Sequence, residues 1–222
     1  MKILGCLFDL DGVIVDTAKH HYFAWKSLAD KLAIPFTELE NESLKGLSRL
    51  DSLECILRSG NLEVSSKTKI ELMEKKNQLY LQIVDSLGPD DVLPGVKELM
   101  LELRNKGIGI CLGSSSKNAS SILKSIGLFD LFDGIVDGNH LTLSKPDPEM
   151  FIKCSKILGL TPSVCMVFED AESGIEAALS GGFFALGIGA VGSLKRAHAN
   201  VQDLDHMTLK KLQGLVDSHE SN

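Results

Sequence analysis

The sequence lacks an excess of basic residues and contains few aromatic ones. Its 222 residues include 23 Lys and Arg against 30 Asp and Glu, which gives a formal net charge of −7, and only 5% of the residues are aromatic. A nucleic-acid-binding domain normally presents a basic stripe, often with aromatic residues between the basic ones. We therefore do not expect nucleic acid among the partners of this protein.

Long hydrophobic runs are also absent. No apolar stretch approaches the roughly 20 residues that a membrane-spanning helix needs, so no membrane partner is expected. The apolar run near the N-terminus is interrupted by Asp9 and Asp11, which makes it too short for the apolar region of a signal peptide. Internal repeats and coiled-coil patterns are missing too. The length indicates one or two ordinary domains, and we expect a monomer.

The cysteines form no Cys-x-x-Cys pair, and their number is odd. They are Cys6, Cys55, Cys111, Cys154 and Cys165. This pattern argues against a disulfide framework or a zinc site. Three of them lie inside apolar runs, where a free cysteine packs as a small hydrophobic residue. We therefore expect reduced thiols and a cytoplasmic location.

Strand-like and helix-like segments alternate after about residue 88, which is typical of βαβ units with a parallel sheet. Short apolar runs predict the strands, and amphipathic stretches predict the helices between them. The predicted fold class is therefore α/β. The predicted strands are 3–9, 107–113, 134–137, 164–168 and 183–188, and the predicted helices are 95–106, 117–126, 147–158 and 171–180.

Residues 16–88 differ because they show helical periodicity with few strand signals. The apolar residues of a first helix are Tyr22, Trp25, Leu28 and Leu32, and Asp16 and Thr17 can cap its start. A second helix, 67–87, is predicted to have its apolar face at Leu72, Leu79 and Ile83. The predicted domains are an α/β core, 1–15 and 89–222, and an inserted helical cap, 16–88. Hinges near 15–17 and 87–90 would let the cap rock over the end of the first strand.

Two aspartates directly follow the first apolar run. Asp9 and Asp11 stand in Asp9-Leu10-Asp11-Gly12, at the carboxyl end of a predicted parallel strand, where such sheets bind ligands. Two neighbouring carboxylates repel each other, and a cation with oxygen ligands, commonly Mg²⁺, relieves that repulsion. Asp9 is the candidate nucleophile and Asp11 the candidate general acid and base. The alternative is a polar turn that merely ends a strand.

Three further polar groups follow apolar runs. Ser114, Ser115 and Ser116 precede a predicted helix and could bind phosphate or only cap that helix. Lys145 precedes Pro146 and Pro148, which stiffen its loop, and it offers a positive charge to phosphate, unless it is simply a solvated loop residue. Glu169-Asp170 ends another strand and could ligate the metal, or be an acidic pair that favours a helix start.

The predicted cap contains its own cationic turn. Lys45-Gly46-Leu47-Ser48-Arg49 offers two cations, and Arg49 could bind a second phosphate. His21 and Lys76 lie elsewhere in the helical segment. Each of these residues, taken alone, could equally be a surface charge.

The order of these motifs resembles the four signature motifs of the haloacid dehalogenase superfamily. They are Asp9-Leu10-Asp11-Gly12, Ser114, Lys145 and Glu169-Asp170. The resemblance covers essentially the whole chain, and it implies a Rossmann-like core with a helical cap. Five further segments narrow the resemblance to the sugar-phosphate mutases of that superfamily. They are Asp16-Thr17, Ala24-Trp25-Lys26, Leu44-Lys45-Gly46, Ser48-Arg49 and Ser116-Lys117-Asn118.

The resemblance implies a role for each matching residue. Asp9 would be phosphorylated and Asp11 would transfer the proton. Mg²⁺ would be held by Asp9, the Asp11 carbonyl group and Asp170, with Glu169 beside it. The expected phosphate-binding residues are Arg49, Ser114, Ser115, Ser116, Lys117, Asn118 and Lys145. The expected substrate-contacting residues of the cap are Thr17, His21, Trp25, Lys45, Gly46, Leu47, Ser52 and Lys76.

Three functions compete at this point. A mutase would need a cationic anchor for the phosphate that is not reacting, which the cap residues could supply. A phosphatase would use the same core with water as the final acceptor. A binding domain without activity would be expected to have lost Asp9, Asp11 or Lys145, and none is lost. Gly113, Ser115 and Ala171 depart from the residues expected at those positions, but none of them replaces a charged group.

Overall fold

Six parallel strands form one sheet at the centre of the molecule. The computed structural model describes residues 1–190 and 192–221. The strands are β1 Gly5–Phe8, β2 Gly109–Gly113, β3 Gly134–Val136, β4 Cys165–Glu169, β5 Phe184–Ile188 and β6 Ala199–Val201. Their order in the sheet is β3-β2-β1-β4-β5-β6, and every neighbouring pair is parallel. The predicted α/β class is confirmed, although β6 was not predicted.

Helices cover both faces of the sheet. They are α5 Val96–Asn105, α6 Ala119–Ser125, α7 Glu149–Ile157, α8 Glu172–Ser180 and α9 Leu209–Glu220. Successive side chains of a strand point to opposite faces, so Phe8 packs in the cluster that includes Leu99 and Leu212, while Leu7 packs in the one with Phe151 and Ile175. Burial on both faces explains why the inner strands read as nearly continuous apolar runs.

The direction of winding reverses between β1 and β4. From β1 the chain moves outward through β2 to β3, and it then returns to add β4, β5 and β6 on the other side. In open α/β sheets the crevice outside the carboxyl ends of the strands at such a reversal is where ligands bind. The end of β1 therefore lies at the ligand-binding edge of this sheet.

Four helices are inserted between β1 and α5. They are α1 Ala18–Lys31, α2 Glu38–Glu42, α3 Arg49–Ser59 and α4 Ser66–Val84. The hydroxyls of Ser48 and Ser65 cap α3 and α4 by accepting N–H groups of the first turn. The inserted helices share an apolar cluster of their own, which includes Trp25 and Leu53. This agrees with the expected cap, whose boundaries at 16 and 88 stay a prediction.

The two connections to the inserted helices run side by side. Val15 and Val92 form an antiparallel bridge, and the amide of Leu93 donates to the carbonyl of Ile14 at 2.9 Å. A pair of adjacent linkers is compatible with the predicted hinge, and the rocking motion itself stays a prediction.

The apolar face predicted for α4 was partly wrong. The residues of α4 that are buried are Leu72, Lys76, Tyr80 and Val84, whereas Leu79 and Ile83 are only partly buried. The stripe follows a four-residue spacing, and it includes a lysine because this face of α4 borders a cavity as well as the apolar core.

All five cysteines are free thiols, and Cys6, Cys111 and Cys165 lie in buried strands as predicted. Burial raises the pKa of Cys6, so its thiol stays protonated. In the part of the chain that the structure describes, no helix has both the length and the apolarity to cross a bilayer.

Candidate active site

The first and fourth motifs meet because β1 and β4 are neighbours. Phe8 pairs with Phe168 in the ladder, and their rings stack with centroids 4.3 Å apart. The amide of Asp9 continues the ladder by donating to the carbonyl of Phe168 at 3.0 Å. Asp9 and Glu169 are therefore held side by side on rigid backbone, and Asp170 follows directly.

Lys145 joins these two acids. Its ammonium group donates to Oδ1 of Asp9 at 2.6 Å and also to Oε1 of Glu169. The side chain of Lys145 is fully buried, which excludes a solvated loop lysine. Burial by itself would lower the pKa of Lys145, but the charges of Asp9 and Glu169 raise it above its usual value. Lys145 therefore carries a positive charge at neutral pH.

The carboxylates outnumber the cations around them. Burial raises the pKa of Asp9, the charge of Lys145 opposes that rise, and Glu169, Asp11 and Asp170 add to it. Burial, reinforced by Glu169, also raises the pKa of Asp170 to about 7, although Lys45 lies 3.3 Å from Oδ2 of Asp170. The site therefore has an excess of negative charge that a bound cation would relieve.

Gly12 leaves room for Asp170 beside the Asp9–Asp11 loop. Its φ is +79°, and a Cβ atom at this position would lie 2.1 Å from Oδ2 of Asp170. Only glycine combines that backbone conformation with so close an approach. The carboxylates of Asp9 and Asp170 and the carbonyl of Asp11 are oxygen donors of the kind that Mg²⁺ prefers, and their role as metal ligands stays a prediction.

Side chains alone do not mark a metal centre. Among the described residues, no group of three or more His, Cys, Asp and Glu side chains is arranged to hold a metal ion. Both carboxylate oxygens of Glu169 are already engaged: Oε1 accepts from Lys145, and Oε2 accepts from the amide of Ala171 at 2.9 Å. Glu169 thus holds Lys145 in place, and its predicted contact with metal stays a prediction.

Asp11 is held by the start of the inserted helices. The Thr17 hydroxyl donates to Oδ1 of Asp11, and Nε2 of His21 lies 4.0 Å from the same oxygen. Burial raises the pKa of Asp11, and the Thr17 hydrogen bond opposes the rise. Thr17 is completely buried. Of the two residues predicted to cap the start of α1, Asp16 accepts from the amide of Ala18 at 3.1 Å, whereas the prediction for Thr17 was wrong because its side chain makes no capping hydrogen bond.

The buried Lys76 and the partly buried His21 form a pair beside Asp11. The Lys76 amine lies 2.9 Å from Nδ1 of His21, and it stands over the rings of Trp25 and Tyr80. Since Nδ1 of His21 faces Lys76, Nε2 is the ring nitrogen that faces Asp11. Burial, followed by the charges of Lys76 and Arg49, holds the pKa of His21 well below its usual value.

We expect Lys76→Met to stabilise the protein near pH 7. Burial and the charge of Arg49 lower the pKa of Lys76 from 10.5 to about 7, against the attraction of Asp11. Between those values the unfolded chain binds a proton that the folded protein does not, so the wild-type protein gains stability as pH rises. The variant should melt roughly 5 °C higher at about pH 7.

Thermal unfolding followed from about pH 6.5 to pH 10 checks this expectation. The advantage of the variant should shrink as pH approaches the ordinary lysine value. Lys75→Met, on the exposed side of the same helix, is the matched control. A Lys76→Met protein that melts below wild type at every pH would contradict it.

The inserted helices touch the core through backbone carbonyls. The Ser115 hydroxyl donates to the carbonyl of Gly46 at 2.9 Å, and the Ser173 hydroxyl donates to that of Lys45 at 3.3 Å. A Cβ atom on Gly46 would lie 2.4 Å from Oγ of Ser173, so a larger residue would displace the Ser173 hydroxyl. The Ser115 hydroxyl, predicted to bind phosphate, is thus engaged by the cap.

One cavity of about 620 Å³ lies between the inserted helices and the core. Predicted site residues from both parts line it: Asp9, Asp11, His21, Trp25, Lys45, Gly46, Leu47, Arg49, Ser52, Lys76, Ser115, Ser116, Lys117, Asn118 and Asp170. The predicted site residues that do not line it are Thr17, Ser114, Lys145 and Glu169. Three of these, Thr17, Lys145 and Glu169, contact Asp9 or Asp11 or each other directly from behind.

The Ser114–Asn118 loop holds itself in shape. The amide of Ser116 donates to Oγ of Ser114 at 3.1 Å, and the amide of Asn118 donates to Oγ of Ser116 at 3.2 Å. Ser114 is almost completely buried, and Lys117 is exposed. Sequence reasoning missed Asn77 and Tyr80, which also line the cavity. Their helical spacing from Met73, which also lines the cavity, could have indicated that all three lie on one side of α4.

The model of the haloacid dehalogenase-like hydrolase family matches residues 3–182. A β-phosphoglucomutase of Bacillus subtilis is 43% identical over 208 residues, which are 93% of this chain and 92% of that relative. The crystal structure of a β-phosphoglucomutase from Clostridium difficile superimposes with a TM-score of 0.95 at 38% identity, covering 99% of this chain and 100% of the other. A fructose-1-phosphate phosphatase of Escherichia coli is 28% identical over 84% of this chain and 97% of its own length.

The chain belongs to the haloacid dehalogenase-like hydrolase family. Within that family, two proteins named β-phosphoglucomutase resemble this chain over almost their full length. The superfamily resemblance predicted from the four motifs is thereby confirmed.

Proposed function

We propose that this protein interconverts β-D-glucose 1-phosphate and glucose 6-phosphate through an aspartyl-phosphate enzyme and a glucose 1,6-bisphosphate intermediate. The observation that carries the proposal is that one cavity is lined both by Asp9 and Asp11 and by Arg49, Ser116 and Asn118, to which we assign a second phosphate. A mutase needs both groups, because its intermediate carries two phosphates. The similarity to β-phosphoglucomutases supports the same reaction.

Asp9 is the nucleophile. Its carboxylate attacks phosphorus and receives the phosphoryl group, while the bond from phosphorus to the sugar oxygen breaks. Lys145 holds Oδ1 of Asp9 and keeps positive charge beside the transferring phosphate. Because Lys145 is buried and held by two acids, this charge needs little reorganisation during the reaction.

Asp11 moves the proton. It protonates the sugar oxygen that leaves phosphorus, and in the reverse direction it takes the proton from the hydroxyl that attacks phospho-Asp9. Burial raises its pKa, which suits a group that must give up and regain a proton near neutral pH. The Thr17 hydroxyl orients its Oδ1 through a hydrogen bond, and Nε2 of His21 lies 4.0 Å from the same oxygen.

Mg²⁺ is the proposed cofactor. The Asp9 and Asp170 carboxylates and the Asp11 carbonyl would hold it, and when bound it would neutralise charge between the nucleophile and the phosphate. Lys45, which lies 3.3 Å from Oδ2 of Asp170, balances part of that charge on the cap side.

The second phosphate is bound by Arg49, Ser116, Lys117 and Asn118. The bisphosphate turns round in the cavity, so that either phosphate can face Asp9 while the other is held at this site. The inserted helices exclude water from the aspartyl-phosphate during the exchange. The part of the cavity lining that we assign to the sugar consists of His21, Trp25, Leu47, Ser52 and Lys76.

A product assay tests the proposed reaction. The protein is incubated with β-glucose 1-phosphate, Mg²⁺ and a trace of glucose 1,6-bisphosphate, and both glucose 6-phosphate and free phosphate are measured. Glucose 6-phosphate without matching phosphate release is expected. Steady phosphate release without isomerised sugar would contradict the mutase and support a phosphatase, the second function that the similarity to the fructose-1-phosphate phosphatase favours.

We expect Arg49→Ala to impair the mutase far more than simple hydrolysis. Its guanidinium is proposed to bind only the phosphate that is not reacting, and hydrogen bonds to charged groups are worth enough to lower kcat/KM by about 10- to 100-fold. Hydrolysis of acetyl phosphate, which has no second phosphate, should change less than about threefold.

Steady-state kinetics with both substrates checks the difference. Arg58→Ala removes an exposed arginine from the same helix and is the matched control. Equal losses of kcat/KM for the two substrates would show that Arg49 does not bind the phosphate that is not reacting.

The remaining expectations stay predictions. They are a monomeric state, a cytoplasmic location, and the absence of nucleic acid and membranes from the partners. Free buried thiols are in keeping with a reducing compartment.

A further inference from the structure

Two residues of the proposed second phosphate site share one acceptor. The guanidinium of Arg49 donates to Oδ1 of Asn77 at 2.7 Å, and the side-chain nitrogen Nδ2 of Asn118 donates to the same oxygen at 2.9 Å. A guanidinium can only donate, so the atom of Asn77 that faces it is the amide oxygen. Both lone pairs of this oxygen therefore accept hydrogen bonds, and the two donors are groups that would bind the second phosphate.

The three residues come from different parts of the fold. Arg49 begins α3 and Asn77 lies within α4, both in the inserted helices, whereas Asn118 precedes α6 in the core. All three line the cavity that contains Asp9. Asn77 thus links Arg49 of the inserted helices to the side-chain amide of Asn118 in the core through one shared acceptor.

The acceptor is neutral, and this matters for a phosphate site. Among the ion pairs of residues 1–190 and 192–221, none involves Arg49. A carboxylate at position 77 would orient Arg49 but would also neutralise it and repel a phosphate. An amide oxygen orients the guanidinium and leaves its charge for the ligand.

We infer that Asn77 is a positioning residue for the phosphate that is not reacting. Its amide oxygen holds Arg49 and Asn118 together before substrate binds, and both donors pass to phosphate oxygens when the ligand arrives. Donors that are already ordered lose less entropy on binding, which raises affinity. The inference rests on the proposed function, because a second phosphate matters only if the substrate carries one.

The experiment compares two phosphoryl donors to Asp9. Glucose 1,6-bisphosphate carries a second phosphate and acetyl phosphate does not. Asn77→Ala should raise KM for the bisphosphate by about tenfold. Asn77→Asp, which is isosteric but negatively charged, should raise it by about 100-fold, because it pairs with Arg49 and repels the ligand. KM and kcat for acetyl phosphate should stay within about twofold in both variants.

Gln78→Ala, at the next and exposed position of α4, is the control and should match wild type with both donors. A bisphosphate KM that stays within twofold in Asn77→Ala would overturn the inference. So would an equal rise in KM for both donors, which would indicate a structural role, or an Asn77→Asp protein that binds the bisphosphate as well as wild type.

The same data separate the inference from the proposed function. If wild type makes no glucose 6-phosphate from β-glucose 1-phosphate, the mutase proposal fails. The KM values for the two donors still decide the role of Asn77, because they depend only on how the second phosphate is bound.

Discussion

Asp9→Asn is expected to abolish turnover while leaving the fold intact. An amide has nearly the shape of a carboxylate, but it is not the nucleophile that phosphoryl transfer requires, so kcat should fall by about 10⁴-fold or more. The introduced amide oxygen could still accept a hydrogen bond from Lys145, which keeps Glu169 as its charged partner. The thermal midpoint should therefore stay close to that of wild type.

Intact-protein mass spectrometry after acid quenching tests the chemistry directly. Wild type mixed with glucose 1,6-bisphosphate should gain the mass of one phosphoryl group, and Asp9→Asn should not. Asp130→Asn changes an exposed aspartate outside the proposed site motifs and serves as the control. Activity of Asp9→Asn above about 1% of wild type would be incompatible with an aspartyl-phosphate at this position.

The core of the site could be predicted because strand ends converge. Asp9, Ser114 and Glu169 each follow an apolar run, and parallel strands bring their carboxyl ends to one edge. The pairing of Phe8 with Phe168 then makes Asp9 and Glu169 neighbours. β6 escaped prediction because its three residues, with Asn200 at the centre, form no apolar run. α9 escaped for a similar reason, since only Leu212 and Val216 of its residues are buried.

Hydrogen-bond partners across the interface could not be predicted from spacing. Asn77 lies 28 residues from Arg49 and 41 from Asn118, and only the packing of α4 against α3 and the core brings them together. Ser115 is a similar case. Its position before α6 suggested a phosphate ligand, whereas the approach of Gly46 supplies a carbonyl acceptor for its hydroxyl. Local sequence specifies which groups can bond, and tertiary packing decides which of them do.

Lys145 shows how the stability and the activity of this site are connected. Its ammonium group is the buried counter-charge of both Asp9 and Glu169. Its folded pKa is raised, so the stability it contributes is fully present below its unfolded value of 10.5 and is lost only as pH rises through the higher folded value. Across the physiological range Lys145 therefore stays protonated and keeps its positive charge.

Lys145→Met should therefore impair both properties. Methionine keeps most of the apolar stem but leaves two buried carboxylates without their cation, which typically costs about 3–5 kcal/mol of unfolding free energy. Turnover should fall by about 10³-fold because the transferring phosphate loses a fixed positive charge. Lys153→Met removes a lysine that also pairs with a carboxylate, Glu149, but at the surface, and should cost no more than about 1 kcal/mol.

The pH dependence distinguishes an unpaired buried charge from a simple packing defect. Lys145 lowers the pKa of Asp9, so in the variant Asp9 takes up a proton at a higher pH than in wild type. The stability difference between Lys145→Met and wild type should shrink as pH is lowered, because a neutral carboxyl group needs no cation. Urea unfolding at several pH values measures this difference. A loss of stability that does not depend on pH would mean that Lys145 stabilises the fold through its stem alone.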